Sequence, residues 1–429
     1  MEILFYEYGS ICEPDILIQF QKLGLAVTEE KTEISNKNLL PSERITILSA
    51  LFDTHSFLFV FSINFFPSIS DICEIYHIPY ICWSVDSPVL ELFSKSICNK
   101  CNQIFLFDKK QYEDLLATMQ ILCKDFSDSH SQTVSCSRHI HHLPLATNVS
   151  RLDDVLATLS PHDMQKYAAD VSFVGSLYTE KDPYLKLSSL SAHTKGFSDG
   201  LIQAQNNIIG TNILEHSLTD EIVADIRSHA EEYFYFSDTC TQSLSPHAKT
   251  LLQKRIDTYI TAHQILGMHA SSINRIDLLN ALSEEFSIAL YTRSDTAGLN
   301  NINSSACGIR LCGGVKTLTE MPKVFHLSKI NLNMTIFPIQ TGLSLRIWDV
   351  LGCGGFLLTN YQEELTDYFT PGVDLDYYTC KEELFEKCRF YLQNDAIRAN
   401  IAANGYHRVK KHHTYEQRIV EIIKQALSM

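Results

Sequence analysis

Short apolar runs rich in isoleucine, valine, phenylalanine and tyrosine alternate along this chain with amphipathic stretches. Runs of this kind, separated by segments with helical periodicity, are typical of α/β proteins whose sheets are mostly parallel. In the first third, strands are predicted at 3–6, 57–62, 80–85, 104–107 and 141–145. The pattern therefore predicts the α/β fold class.

The first 30 residues predict a complete structural unit. After the first strand, Ile16, Leu17, Phe20 and Leu23 recur at helical spacing, and a second apolar run begins near Val27. This order of strand, loop, helix and strand predicts a βαβ unit.

A change in pattern marks a domain boundary. A strand ends near 143–148, the sequence turns polar over 146–168, and a new strand begins at 169–175. Residues 219–282 are helical and poor in strands, and 286–291, 323–325 and 330–334 then resume short strands or strand-edge turns. We expect an N-terminal domain at 1–150, a C-terminal domain at 151–405 with a helical insert, and a terminal helix at 406–429 that packs back toward the N-terminal domain.

Composition narrows the class of protein. A chain of 429 residues with 45% hydrophobic and 20% charged residues is long enough for two folded domains. The net charge of −15 argues against a nucleic-acid partner, because a phosphate backbone requires a basic face. The most apolar stretch, 57–66, is about half the roughly 20 residues of a membrane span. The first residues lack the features of a secretory signal, so a cytoplasmic protein is expected.

Cysteine and histidine are the residue types that most often bind metal ions. Thirteen cysteines are scattered, many inside apolar runs, as in a reducing compartment. Cys98, Cys101, Cys136 and His139 could form a four-ligand zinc site, although unpaired thiols on a helix and a loop are favoured. Seventeen histidines include neighbours that alternate in direction along a strand and so do not converge on one ion. We expect no bound metal and no cofactor.

The segment 341–359 carries the clearest candidate chemistry. Gly342 precedes a predicted helix at 343–351, and a glycine cluster follows it before a strand at 356–359. A helix amino terminus of this kind suits a diphosphate, since its amides are free and its dipole is positive. Ser344 can cap the helix or donate to phosphate, Arg346 can approach the anion, and Asp349 follows three residues later. An ordinary capped helix with a surface ion pair has the same pattern, and local chemistry alone favours it.

A family resemblance favours the diphosphate site over the ordinary capped helix. The blocks Gly342-Leu-Ser-Leu-Arg-Ile-Trp-Asp349 and Gly352-Cys-Gly-Gly-Phe-Leu-Leu-Thr-Asn-Tyr361 resemble the bacterial CgeB-like glycosyltransferases, first named for a spore-maturation protein. The resemblance continues at 171–176, 321–325, 328–335, 364–369, 398–405 and 412–418, and more loosely at 8–12, 83–88 and 143–146.

The resemblance implies a fold and a donor site. CgeB-like proteins are similar to family 4 GT-B glycosyltransferases, in which two Rossmann-like domains face a cleft and the C-terminal domain binds the nucleotide sugar. The resemblance implies that Asp349 holds the donor ribose. It also implies that Gly342, Leu343 and Ser344 contact the diphosphate and that Arg346 supplies a positive charge to it. Lys181 falls where these enzymes place a basic residue, although a solvated loop lysine is an equal interpretation.

This sequence departs from the wider family at two positions. Those enzymes carry two glutamates separated by seven residues, and here Thr341 and the shorter Asp349 occupy those positions. Because the first glutamate contacts the donor sugar, the identity of the sugar does not transfer by resemblance, although Thr341 stays a candidate contact.

The N-terminal domain is expected to receive the acceptor. Asp86 follows the strand at 80–85, and ligands bind at carboxyl strand ends in open α/β sheets. Asp86 could act as a general base, or it could cap the turn at Pro88, which is the favoured interpretation. Gly9 and Ser10, after the first strand, could approach the donor phosphates.

Together these observations predict transfer of a sugar from a nucleoside-diphosphate sugar, with a UDP-sugar as the expected donor, to an acceptor hydroxyl. The resemblance implies a retaining, metal-independent reaction and an acceptor among surface polysaccharides, spore-coat components or protein glycans. The alternative is a non-catalytic GT-B-like protein that binds a nucleotide sugar or serves as a partner subunit, because Thr341 replaces a glutamate and no clear base is present.

Overall fold

The computed structural model describes residues 1–126, 139–242, 244–302 and 307–427, apart from the side chains of 123–126 and 181. The chain forms two compact units. The first comprises Met1–Leu145, Phe234–Asp257 and Tyr415–Met429, and the second comprises Ala146–Tyr233 and Thr258–Thr414. Both units are therefore discontinuous in sequence, whereas the sequence pattern predicted consecutive domains.

Twelve strands are present in the described residues. They are β1 Glu2–Tyr6, β2 Ala26–Glu30, β3 Val60–Ile63, β4 Tyr80–Ser84, β5 Asn102–Leu106, β6 Ile140–His142, β7 Ala169–Val174, β8 Ser287–Tyr291, β9 Gly308–Leu311, β10 Ser328–Asn333, β11 Leu357–Asn360 and β12 Asp376–Tyr378.

The helices of the described residues lie between and after these strands. They are α1 Glu13–Lys22, α2 Thr32–Ser35, α3 Pro41–Phe52, α4 Pro67–Tyr76, α5 Lys109–Phe126, α6 Val149–Leu156, α7 Pro161–Tyr167, α8 Ala192–Asn206, α9 Leu214–Ser217, α10 Asp220–His229, α11 Glu231–Cys240, α12 Pro246–Tyr259, α13 Gly267–Ser283, α14 Met321–Leu327, α15 Leu345–Gly352, α16 Leu365–Tyr368, α17 Lys381–Gln393, α18 Asp395–His412 and α19 Tyr415–Leu427. A π-helical stretch, Ile260–Leu266, leads into α13, and four 3-10 helices cover Leu90–Phe93, Lys95–Cys98, Thr179–Lys181 and Tyr184–Lys186.

The first unit is built on a six-stranded parallel sheet in the order β2-β1-β3-β4-β5-β6. Its four inner strands, β1, β3, β4 and β5, are buried on both faces, which explains their largely apolar sequences. Helix α19 packs against α1 in this unit, and Tyr415 at its start meets the buried Trp83 with ring centroids 5.9 Å apart. The carboxyl-terminal helix is therefore part of the first unit.

Part of the helical insert also belongs to the first unit. On α12, the Nε of Arg255 donates to the hydroxyl of Thr118 at 3.0 Å, and its Nη2 lies 3.3 Å from a carboxylate oxygen of Asp114. Both partners lie on α5. The insert is thus divided between the two units. Its segment Phe234–Asp257 belongs to the first unit, and the rest of the insert belongs to the second.

The second unit contains another six-stranded parallel sheet, in the order β12-β11-β10-β7-β8-β9. Its first strand in sequence, β7, lies at the centre and pairs with β8 on one side and β10 on the other. Because successive strands run outward from β7 in both directions, the order reverses between β7 and β10. Open α/β sheets bind ligands at the carboxyl ends of the strands beside such a reversal.

Two sequence predictions need correction. The short strand or turn expected at 323–325 is wrong, because these residues lie in helix α14, where Met321, Val324 and Phe325 are buried at helical spacing. The terminal helix expected at 406–429 is divided: α18 runs through to His412, and Thr414 then bridges to Thr147 in extended conformation before α19 begins. No helix in the described parts of the chain is long and apolar enough to cross a membrane.

Candidate functional site

The strand-order reversal in the second unit places two loops side by side. Gly175 and Ser176 follow β7, and Met334 follows β10. Both loops leave the carboxyl edge of the sheet, where parallel strands of open α/β proteins present their ligand-binding residues. We refer to this place as the switch-point crevice.

Helix α15 begins after the loop that follows β10. Ser344 occupies its N-cap position in extended conformation, and its hydroxyl makes no capping bond. The Ser344 Oγ is buried without a hydrogen-bond partner. An unpaired buried hydroxyl at a helix amino terminus costs free energy, which a ligand oxygen would recover by accepting its hydrogen bond. The predicted capping role of Ser344 is absent here, and the donor role stays a prediction.

Arg346 lies in the first turn of α15. Its guanidinium covers the ring of Phe325, with 5.2 Å between the guanidinium carbon and the ring centroid, and Nη1 contacts the Met321 sulfur. No carboxylate lies within ion-pair distance of Arg346 in the described residues. Burial lowers the pKa of Arg346, and the charge of Asp349 opposes that shift from a distance. The predicted Arg346–Asp349 pair is thus not a direct ion pair.

A cavity of about 340 Å³ opens beside Arg346 within the second unit. It lies at the carboxyl ends of β7, β8 and β9, and its walls include Gly175, Ser176, Arg293 and Lys316. The volume falls in the range of small-molecule sites, roughly 300–1,000 Å³. The charged residues of its wall are three cations, Arg293, Lys316 and Arg346, and one carboxylate, that of Glu180.

Arg293 and Lys316 are cavity residues that the sequence pattern missed. Arg293 follows β8, and its side chain passes over Gly314, where an added Cβ would lie 2.5 Å from the Arg293 Nε. A side chain at position 314 would therefore displace Arg293. The two cations lie in separate loops, and neither loop carries a recognisable motif. They could have been predicted only from the strand order, which places the loops after β8 and β9 side by side.

Asp349 and Thr341 are both engaged by protein groups. Asp349 is 7% exposed and accepts a hydrogen bond of 2.8 Å from the hydroxyl of Thr147. Thr341 donates to the carboxylate of Glu364, also at 2.8 Å. Glu364 is 1% exposed and was not singled out from the sequence. The two positions that depart from the wider family thus contribute to the packing of the second unit.

The remaining donor-side candidates lie in two places: Gly342 and Leu343 just before α15, and Lys181 in the loop after β7. Gly342 and Leu343 are buried, and the Leu343 carbonyl accepts a 3.4 Å bond from the Trp348 indole. Lys181 ends the short helix Thr179–Lys181 in the loop after β7, and its side chain lies outside the described residues.

In the first unit, Asp86 follows β4 at the carboxyl edge of the sheet. Its carboxylate accepts a 2.6 Å bond from the side-chain amide of Asn64, and the same amide nitrogen donates to the hydroxyl of Tyr8 at 2.8 Å. Asn64 follows β3 and has a φ of +59°, a left-handed conformation that asparagine tolerates better than most residues. Asp86 is exposed and held in one orientation by Asn64. Asn64 was missed because its conformation is invisible in the sequence.

Gly9 and Ser10 form the turn after β1. The backbone amides of Tyr8 and Gly9 each donate to the carboxylate of Glu13 at 2.9 Å. Gly9 has a φ of +95°, which explains the glycine at this position. The Gly9 amide therefore binds an internal carboxylate in this structure. The role of Gly9 and Ser10 toward donor phosphates stays a prediction.

Glu7, also after β1, has an altered acidity. Burial and, to a smaller extent, the neighbouring Glu29 raise the pKa of its carboxyl to about 7, against the opposing charge of Lys31, whose Nζ lies 3.6 Å from Oε1. One Glu7 oxygen is buried without a hydrogen-bond partner. Between about pH 4.5 and 7 the unfolded carboxyl loses its proton while the folded one retains it, so stability falls as pH rises.

Replacing Glu7 with glutamine is therefore expected to stabilise the protein at pH 8 relative to wild type by roughly 1–3 kcal/mol, and to have little effect at pH 4. Urea unfolding of both proteins across this pH range measures the difference. The exposed Glu416, on α19 of the same unit, provides the control substitution E416Q. A stability difference that does not grow with pH would contradict the assignment.

No group of three or more histidine, cysteine, aspartate or glutamate side chains is arranged to hold a metal ion within 1–126, 139–242, 244–302 and 307–427. Cys136 of the alternative zinc site lies outside the described residues. His139 and His141 both bond the side-chain amide of Gln103, at 2.9 and 3.0 Å.

Comparison with known proteins defines the class of fold. The chain matches crystal structures of Anabaena Alr3699/HepE in complex with UDP-glucose at a TM-score of 0.50 and 11% identity, covering 100% of both chains. The same protein with UDP and glucose matches at 0.50 and 11%, covering 99% of each chain. A sucrose-phosphate synthase from Thermosynechococcus elongatus matches at 0.49 and 9%, covering 100% of this chain and 99% of that one. The predicted GT-B class of α/β fold is confirmed.

The family comparison adds a domain assignment. Residues 278–424 match the family model described as glycosyl transferase-like, which spans about a third of the chain. The prediction of a glycosyltransferase is confirmed at the level of this domain. No curated protein sequence matches the chain. The narrower resemblance to CgeB-like enzymes stays a prediction.

Proposed function

We propose that this protein transfers a sugar from a nucleoside-diphosphate sugar, bound in the cavity of the second unit, to an acceptor hydroxyl. The observation that carries the proposal is the guanidinium of Arg346, which borders that cavity without a carboxylate partner. Burying an unpaired cation is costly, so its place beside a cavity favours an anionic ligand. The glycosyl transferase-like match over 278–424 contains this residue.

The chemistry expected of these residues is stabilisation of the leaving diphosphate. Arg346 and the amino terminus of α15 present positive charge to an anion. Negative charge grows on the diphosphate oxygen as the bond to the sugar breaks, so groups held in place beforehand lower the barrier. The resemblance to family 4 enzymes supports a retaining reaction that needs no divalent metal, and Asp86 is the first base to test if the reaction inverts.

The donor and acceptor are proposed more narrowly from similarity. UDP-glucose is the first donor to test, because it is the ligand named for the Anabaena structure of the same fold. The acceptor is proposed to be a hydroxyl of a glycan or a glycosylated protein, and no nucleic acid is expected, given the net charge of −15.

A non-catalytic role is the second candidate, and one observation favours it. The side chains at both positions that depart from the family motif are engaged within the protein, Thr341 with Glu364 and Asp349 with Thr147. A protein that retained donor binding but lost turnover would show such changes.

Donor turnover separates the two candidates. The full-length chain is incubated with UDP-, GDP- and TDP-sugars, and free nucleotide is measured over time with and without glycan acceptors. We expect one donor class to stabilise the protein thermally and to release nucleotide. Binding with no release on any acceptor would favour the non-catalytic role, and the absence of any binding would contradict both.

A further inference from the structure

Arg275 joins the two loops of the switch-point crevice. It lies on α13, is 9% exposed, and reaches the carboxyl edge of the second sheet. Its Nη1 donates to the carbonyl of Ser176, after β7, at 2.6 Å, and its Nη2 donates to the carbonyl of Met334, after β10. One side chain thus fixes both walls of the crevice.

The charge of Arg275 is not neutralised by the protein. Besides the two carbonyls, its guanidinium contacts ring faces, with its central carbon 5.4 Å from the Phe173 centroid and 4.9 Å from that of Tyr178. No carboxylate lies within ion-pair distance of it in the described residues. Burial lowers the pKa of Arg275, and the positive charge of Arg346 lowers it further.

A buried cation without a counter-ion, such as Arg275, is unfavourable in a protein interior. On the loop after β7, the carboxylate of Glu180 lines the cavity and accepts a 3.1 Å bond from the hydroxyl of Ser176. Arg275 therefore fixes that loop and the loop after β10 through backbone carbonyls, with no carboxylate partner of its own in the described residues.

The backbone beside Arg275 is strained. Tyr178 has a φ of +61°, which is rare for a bulky side chain, and its amide donates to the hydroxyl of Ser176 at 2.8 Å. Strain of this kind persists where surrounding contacts hold it, and it concentrates at ligand sites. The ring of Tyr178 under the guanidinium is one such contact.

We propose that Arg275 is a positioning residue for the diphosphate of the donor: through the Ser176 carbonyl it fixes the loop after β7, which lines the cavity, and it places a second positive charge beside that loop. This inference rests on the proposed donor site. It adds a residue on the insert helix α13 to the anion-binding part of that site, and it predicts that Arg275 acts on the phosphates and not on the nucleoside.

Two substitutions separate charge from packing. R275K keeps the charge, R275Q removes it, and both shorten the bridge between the two carbonyls. We expect R275Q to weaken UDP binding by about tenfold or more, R275K to weaken it by about threefold or less, and neither to change uridine binding. Calorimetric titration of each full-length variant with UDP and with uridine measures the affinities.

A control tests for general damage. Arg398, on α18 of the same unit, also donates to a backbone carbonyl, that of Tyr391, but is paired with Asp395 at 2.6 Å. R398Q should leave the ratio of UDP to uridine affinity unchanged. Equal UDP affinities for R275K and R275Q, or equal losses for UDP and uridine, would overturn the inference. Failure of the wild type to bind UDP or uridine would instead count against the proposed function with a uridine donor.

If R275Q does not fold, R275K alone is compared with the wild type. R275K should then bind UDP about threefold or less more weakly than the wild type, with its affinity for uridine unchanged. A parallel loss of both ligands in R275K would overturn the proposal.

Discussion

Replacing Arg346 with alanine is expected to lower the rate of sugar transfer about a hundredfold. The guanidinium borders the cavity and forms no ion pair with a carboxylate, so its removal breaks no salt bridge within the protein. The main effect should therefore fall on the developing negative charge of the diphosphate. Loss of a single charge-stabilising donor costs about 10²–10³ in turnover in well-studied enzymes.

The measurement is release of free nucleotide and of glycosylated product by the wild type, R346A and R346K. R310A is the matched control, because Arg310 is an exposed arginine on β9 that donates to the backbone carbonyl of Ala168 at 3.2 Å. R346K should retain part of the activity, since it keeps a charge but not the planar donor pair. Transfer by R346A at the wild-type rate would remove Arg346 from the mechanism.

Replacing Trp348 with alanine is expected to lower the free energy of unfolding of the second unit by about 3–5 kcal/mol. Trp348 is fully buried on α15, and its ring lies 5.7 Å from Tyr368, 5.3 Å from Phe369 and 5.0 Å from His413, centroid to centroid. Alanine leaves a cavity that these rings can fill only in part. Because Trp348 also holds the start of α15 through the Leu343 carbonyl, donor binding should weaken as well.

Urea unfolding tests this prediction with a reporter inside the protein. The chain has two tryptophans, so W348A leaves Trp83 of the first unit as the fluorescent reporter, while circular dichroism follows both units. The circular dichroism transition should move to lower urea, and the Trp83 transition should move less. F390A, at a residue 46% exposed on α17, should change stability by less than about 0.5 kcal/mol. A loss below about 1 kcal/mol for W348A would mean that this ring does not hold α15 in place.

Local sequence pattern predicted much of the fold. The alternation of apolar runs and amphipathic stretches located most strands to within a few residues, because burial on both faces leaves a continuous apolar signature. The helix after Gly342 was expected at 343–351 and runs over Leu345–Gly352. The error at 323–325 shows the limit: three residues of an apolar run carry no period, and the helical spacing of Met321, Val324 and Phe325 is visible only over the whole of α14.

What the pattern missed depends on contacts between distant parts of the chain. Arg293 and Lys316 come from two separate loops, which the strand order brings to one cavity with Arg346. Arg275, on α13, reaches the loops after β7 and β10 through their carbonyls. The first unit takes in Phe234–Asp257 from the insert, which the pattern of strands and helices assigned to the C-terminal domain.

The predicted site positions have different surroundings in the structure. Arg346 lies beside a cavity, and its role toward an anion stays a prediction. Asp349 and Thr341 are held by Thr147 and Glu364, side chains that lie far from them in the sequence. A residue-by-residue carry-over could not reveal these partners, since hydrogen bonds across the chain follow from tertiary structure.

Calorimetric titration of the wild type and R346A with UDP, GDP, TDP and their sugars tests the central claim most directly. The cavity beside Arg346 predicts that at least one nucleoside diphosphate binds the wild type with a Kd in about the micromolar range, and that R346A binds it at least about tenfold more weakly. No binding by any of these nucleotides, or equal binding by the wild type and R346A, would contradict a donor site in the second unit.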